Sequence, residues 1–229
     1  MDRADSGSLI VIGDSANTNA RTLLAKSLAT QGFSNIEPMD CRELATTVET
    51  IQGSTGMARF VAVLDFASKC MTGTENAKLK QAVQARASGG RRGQKKFGDL
   101  FPITDKMIQS GSDEAILAFL TAMRNRPETY LYRREMFYAM AAALKIKVAR
   151  KRESLPEVVV EVQNQIRHSG RRLAKRSIGS ILLVKGLEFD HSVIIHTAKM
   201  SRKDWYVALT RASKSICVIS PSERITITT

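Results

Sequence analysis

Residues 8–13 read SLIVIG, a short apolar and β-branched run ending in glycine, the pattern of a buried strand. Asp14, Ser15 and Asn17 follow, with side chains suited to capping a helix N-terminus. Leu23, Leu24 and Leu28 then recur at helical spacing, and Gly32 ends that run. A short β segment near Ile36 and a helix over about 41–51 complete the opening. This strand–helix–strand–helix order predicts a parallel sheet covered by helices.

The pattern changes after residue 56. Residues 57–168 carry few strand signals and many helical ones. Phe60, Val61, Val63, Leu64 and Phe66 form a run that reads equally as a strand or a helix. Residues 113–124, 130–148 and 157–166 have amphipathic helical spacing, and Pro127 separates the first two. Ser88-Gly-Gly-Arg-Arg-Gly-Gln-Lys-Lys96 is a basic loop loosened by glycines. The last fifty or so residues return to the earlier alternation. Ile181–Val184 reads as a strand, 185–190 as a polar loop, and Val193–Ile195 as a second strand. Ser201–Ala212 reads as a helix and Ile216–Ile219 as a final strand. The expectation is one discontinuous α/β domain, 1–56 with 176–229, interrupted by a helical, basic insertion over 57–175. The sequence has no internal repeat and no low-complexity tract.

Composition sharpens this picture. With 229 residues, 43% hydrophobic and 25% charged, the chain is globular and sized for one domain or one domain with an insertion. Thirty-five Lys and Arg against 22 Asp and Glu leave a net charge of +13. Residues 75–99 carry a balance of +5 and residues 145–176 one of +7, so two segments hold nearly all the excess. Such clusters suit a phosphate-tracking surface, although charge alone does not separate DNA from RNA or an acidic membrane. No apolar run approaches the ~18 residues of a membrane span. The N-terminal residues MDRADSGSLIVIG lack the pattern of a signal peptide. Cys41, Cys70 and Cys217 are far apart, and His168, His191 and His196 show no ligand spacing. The expectation is buried, reduced thiols in a cytoplasmic protein, with no metal site.

Two strings near the C-terminus carry a resemblance. Lys185-Gly-Leu-Glu-Phe-Asp190 resembles the fifth motif of UvrD/Rep-like superfamily 1 DNA helicases. Tyr206-Val-Ala-Leu-Thr-Arg-Ala212 resembles their sixth motif, in the right order and also beside an apolar strand. The opening strand, followed by Asn17 and Arg21, resembles the fourth-motif region that begins the second RecA-like domain of that family. The resemblance covers about residues 176–220, with a weaker match over 8–31. It implies a RecA-like parallel sheet flanked by helices, with the helical middle as the insertion this family places there.

What the resemblance implies for chemistry can be set residue by residue. Arg211 falls at the arginine finger, where a planar and permanently charged fork stabilises charge developing on a transferred phosphoryl group. Gly186 lets the backbone approach a ligand closely. Glu188 falls near the nucleotide sugar or the coupling network, and Lys185 either contacts phosphate or braces the loop. Ser180 stands for the family's Thr and keeps a hydroxyl that could reach a DNA phosphate. The family's His is replaced within Leu182-Leu-Val184, and Ser15 replaces an Arg of the fourth motif. Arg21 matches the family's later Arg, with a structural role. Tyr206 and Trp205 read as packing residues rather than ligands. The DNA-backbone contacts expected are Arg91, Arg92, Lys95 and Lys96, with Arg171 and Arg172 from the second cluster.

No Gly-Lys-Ser or Gly-Lys-Thr occurs in the sequence, so the amide-and-lysine cradle of a P-loop is missing. Asp65 after Val61–Leu64 is weak support for a metal-binding acid. ATP would therefore be shared with a separate P-loop domain, and Mg would be held only through that domain. Three readings stand. The chain is a helicase half that offers Arg211 and a surface for single-stranded or partly duplex DNA to a P-loop-bearing partner, with no membrane role. It is a non-catalytic nucleic-acid-binding or regulatory module derived from such a half. Or it is an unrelated basic α/β protein.

Overall fold

A computed structural model describes residues 7–13, 17–38, 42–151 and 153–225. In chain order the elements begin with β1 (Leu9–Gly13), α1 (Thr18–Ser27), β2 (Phe33–Asn35), α2 (Arg42–Gln52) and α3 (Gly56–Cys70). They continue with β3 (Met71–Thr72), α4 (Asn76–Ala87), α5 (Gln94–Phe97), α6 (Phe101–Ser110) and α7 (Asp113–Arg124). The remainder are β4 (Tyr130–Leu131), α8 (Arg134–Ala149), α9 (Leu155–Ser169), β5 (Arg176–Ser180), β6 (Phe189–Ile195), α10 (Arg202–Leu209) and β7 (Ala212–Ile219). The fold is α/β, with a RecA-like parallel sheet and a mostly helical, basic insertion. The chain forms two compact units.

The first unit comprises Met1–Pro38, Tyr132–Arg134 and Arg172–Thr229. It holds one five-stranded sheet in the order β2-β5-β1-β6-β7, with every pairing parallel. Alternation along β1 explains its two cores. Ile10 and Ile12 face a cluster with Phe189, Ile194, Trp205 and Ala208, while Val11 faces Ala25, Phe33, Tyr132 and Ile178. Asn17 caps α1, its Oδ1 accepting the Ala20 N–H at 2.9 Å. Asp14 and Ser15, the other capping candidates, lie outside the described residues, as does Cys41. Ser201 and Asp204 form a reciprocal capping box at the start of α10.

Tyr132–Arg134 covers the outer edge of β2. Its Tyr132 carbonyl accepts the Asn35 N–H at 2.7 Å. Arg133 grips Glu37 with two parallel hydrogen bonds of 2.8 and 2.9 Å, and both residues are buried. A bidentate pair of this kind fixes geometry as well as charge. The opposite edge is different. β7 is exposed along nearly its whole length, including Ile216, Val218 and Ile219.

The second unit comprises Met39–Leu131 and Glu135–Arg171. Helices α2 to α9 enclose one large apolar core, with Phe60 and Phe119 meeting edge to face at 5.8 Å. β3 and β4 pair antiparallel as its only sheet among the described residues. The units part after residue 38, not near 56. Leu44, Val48 and Ile51 of α2 join the helical core, so α2 belongs with the insertion.

Three local readings change. The 60–66 run is helical, because α3 continues its apolar face through Ala67 and Cys70. The expected helix over 130–148 starts only at Arg134, preceded by β4. The strand expected at 181–184 lies one segment earlier, at Arg176–Ser180, and residues 181–186 are turn. β5 escapes an apolar search because Ile178 is its only large apolar residue. Gly179 is small for a reason: a Cβ there would lie 2.9 Å from Val184 and 3.1 Å from Ile36. Cys70 is buried as expected of the thiols, but Cys217 is exposed on β7. No helix among the described residues is long and apolar enough to cross a membrane.

Candidate nucleotide and nucleic-acid interface

Residues 185–190 and 206–212 meet at one end of the sheet. The turn leaving β5 is tied by the Val184 N–H to the Ser180 carbonyl at 3.1 Å and by the Leu187 N–H to the Val184 carbonyl at 3.0 Å. Ile181 and Val184 are buried beneath it, while Leu182, Lys185, Gly186 and Glu188 are exposed. Gly186 has φ +80°, and a Cβ at that position would meet no atom within 4 Å. A left-handed glycine in open space gives the turn its reversal and leaves its backbone approachable.

Arg211 closes this arrangement from the other side. It follows α10, and its Nε donates to the Val207 carbonyl at 3.0 Å. One terminal nitrogen donates to the Leu187 carbonyl at 2.9 Å and the other to Thr210 Oγ1 at 2.8 Å. The Arg211 carbonyl accepts the Phe189 N–H at 2.9 Å. Arg211 is thus joined to the 187–189 segment by side chain and backbone together. Three of the five guanidinium N–H groups are engaged, so the fork has donors left for an anion.

Other candidates lie elsewhere. Ser180 is 3% exposed and its hydroxyl accepts the Leu183 N–H at 3.3 Å, so it braces the turn from inside. That burial removes the reach toward a phosphate expected of it. Ser180 pairs with Gly13 at the far end of its strand, away from Arg211 near the start of β7. Arg21 is also buried, donating to Thr18 Oγ1 at 3.0 Å beside Gly13, which suits its structural reading. Trp205 is a core residue, with its ring 5.4 Å from that of His196. Tyr206 corrects its packing reading: it is 71% exposed on α10. A one-residue step around a helix turns a side chain about 100°, which separates these two aromatic neighbours.

In the second unit the basic loop is built rather than slack. The Gly90 N–H returns to the Ala85 carbonyl at 2.8 Å, and Gly89 and Gly93 take φ values of +80° and +73°. Buried Phe97 anchors the far side. Arg91, Arg92 and Lys95 are exposed. Lys96 is partly spoken for: it is ion-paired to Glu75 and lies over the Phe97 ring. Lys96, followed by Lys78, holds the Glu75 carboxyl down at about 2. This 21-residue link carries no local sequence signal. Arg171 pairs with Glu135 at 3.7 Å and its side chain is only 11% exposed, whereas Arg172 is exposed. Other members of the second cluster are similarly engaged: Arg150 with Glu161 at 2.8 Å and Lys147 with Asp113 at 3.7 Å. Arg91, Arg92, Lys95 and Arg172 are exposed, as are other cations of the two basic segments, among them Lys80, Lys145, Lys151, Arg167 and Lys175. No group of three or more His, Cys, Asp and Glu among the described residues could hold a metal ion. No family model matches the chain, and no curated protein sequence does either.

Proposed function

We propose that this chain is the C-terminal half of a UvrD-like DNA helicase, cytoplasmic, which presents an arginine finger and a DNA-binding surface to a P-loop-bearing partner. The observation carrying this reading is the Arg211 side chain. Its bond to the Leu187 carbonyl joins the two motif-like strings into one exposed corner with Lys185, Gly186 and Glu188. ATP supplies the phosphoanhydride to be cleaved when it is held against this corner by the partner. The residues present suit that role: an open glycine turn, an exposed lysine and glutamate, and a guanidinium with unused N–H donors. Arg211 then orients by its bonds to Leu187 and Val207, and its remaining donors face developing negative charge.

This reading gives the chain no phosphate cradle of its own. The purified chain with single-stranded DNA and Mg-ATP is expected to turn over ATP no faster than buffer. DNA-stimulated turnover above background overturns the division of labour.

A second reading has its own support. Three of the Arg211 donors already hold the fold together, which a non-catalytic binding module would also need. Arg211→Lys separates the two. With a P-loop partner present, it is expected to abolish most ATPase while sparing DNA binding. Unchanged ATPase favours the module.

A further inference from the structure

Beside the basic loop lies a cavity of about 800 Å³, formed wholly within the second unit where α3, α4 and α6 meet. That size suits a small ligand or part of a larger one. Its apolar wall is Met57, Val83 and Ile108, continuous with the helical core. Its polar lining is Arg86, Arg91, Gln94, Asp105 and Gln109. Arg86 stiffens one side: its Nε donates to Asp105 at 3.0 Å and its guanidinium lies over the Phe101 ring at 5.2 Å. The Gly90 turn holds the loop at the mouth; a Cβ on Gly90 would lie 3.0 Å from the Ala85 carbonyl oxygen.

We propose that this cavity seats one base of a single-stranded nucleic acid whose backbone runs along the 91–95 loop. The inference rests on the nucleic-acid reading above and adds a base site to it. An apolar wall matches the face of a base, two primary amides match its donor and acceptor edge, and Arg91 at the rim matches the adjoining phosphate. Exposed Arg92 and Lys95 continue the cationic track beyond the cavity. Few aromatic residues are needed in this arrangement, consistent with an aromatic content of only 6%.

The test compares two labelled strands by anisotropy at one salt concentration: a short oligothymidine and an abasic strand with the same number of phosphates. The full chain is expected to prefer the base-bearing strand roughly tenfold, the scale of one seated base. Ile108→Glu puts a carboxylate into the apolar wall and is expected to erase the preference. Gln94→Ala with Gln109→Ala, both surface changes, is expected to reduce it severalfold and leave abasic binding intact. Equal binding of both strands by the wild type overturns the base site alone. A preference unchanged in both variants does the same. Binding to neither strand overturns the base site and the DNA-binding reading together.

Discussion

The Arg211 guanidinium holds a helix end and a turn at once, so removing it has a structural cost independent of any catalytic one. Each lost hydrogen bond from a charged donor is worth about 1.5–3 kcal/mol when its partner is left poorly solvated. The acceptors here are partly exposed, so Arg211→Ala is expected to lower unfolding free energy by about 1–3 kcal/mol in a urea titration. No change would mean that these bonds do not hold the corner together. Asp190 makes a second residue-level prediction. The Ser8 backbone N–H and then the Lys214 ammonium hold its carboxyl at about 2, against an ordinary 3.8. A carboxyl lowered by folding stabilises the native state above its unfolded value, and that contribution fades as pH falls toward the folded one. Thermal melts should therefore lose stability between pH 3.8 and about 2, and Asp190→Asn should flatten that stretch of the curve. An identical acid limb in both proteins would contradict the role given to Ser8 and Lys214.

At the scale of elements, Gly93 is where the basic loop is most constrained. Its φ is +73°, and a Cβ would lie 2.7 Å from that of Ala82 and 3.1 Å from the Phe97 ring. Gly93→Ala is expected to cost about 1–3 kcal/mol, combining backbone strain with overpacking. It should also weaken DNA binding, because Arg91, Arg92 and Lys95 lose their common placement. A variant with wild-type stability and binding would show the loop to be slack. Elements with strong periodicity were legible in the sequence: β1, α1 with its Asn17 cap, and α7, whose bounds match the amphipathic spacing. β5 was not legible, because a strand in the middle of a sheet normally announces itself by large apolar residues. Here Ile181 and Val184 supply the apolar mass from the turn that follows it, and Gly179 makes room for Val184 and Ile36. The corner around Arg211 was legible as a pair of strings but not as a set of contacts. Nothing local marks Tyr206 as exposed and Trp205 as buried, since which way each faces is decided by how α10 lies on the sheet.

Across the whole molecule, formal charge overstates the accessible cationic surface. Arg171, Arg150, Lys147 and Lys96 all sit within reach of carboxylates, so the +13 balance is not a uniform attraction. Arg91, Arg92 and Lys95 are exposed together on one loop, among other exposed cations that include Lys80, Lys106, Lys145 and Arg167. Reversing Arg91 and Arg92 to Glu should remove about two phosphate contacts, and so reduce the slope of log K against log salt by roughly 1.4 for a single strand. A slope equal to that of the wild type would remove the loop from the footprint.

Titrating the purified protein into labelled single-stranded DNA, with anisotropy followed across a salt series, asks first whether this proposed helicase half binds nucleic acid at all. Tight binding at low salt is expected, with log K falling linearly as log salt rises. Absence of binding at low salt would contradict it, and would show that the exposed Arg91–Lys95 surface serves something other than nucleic acid.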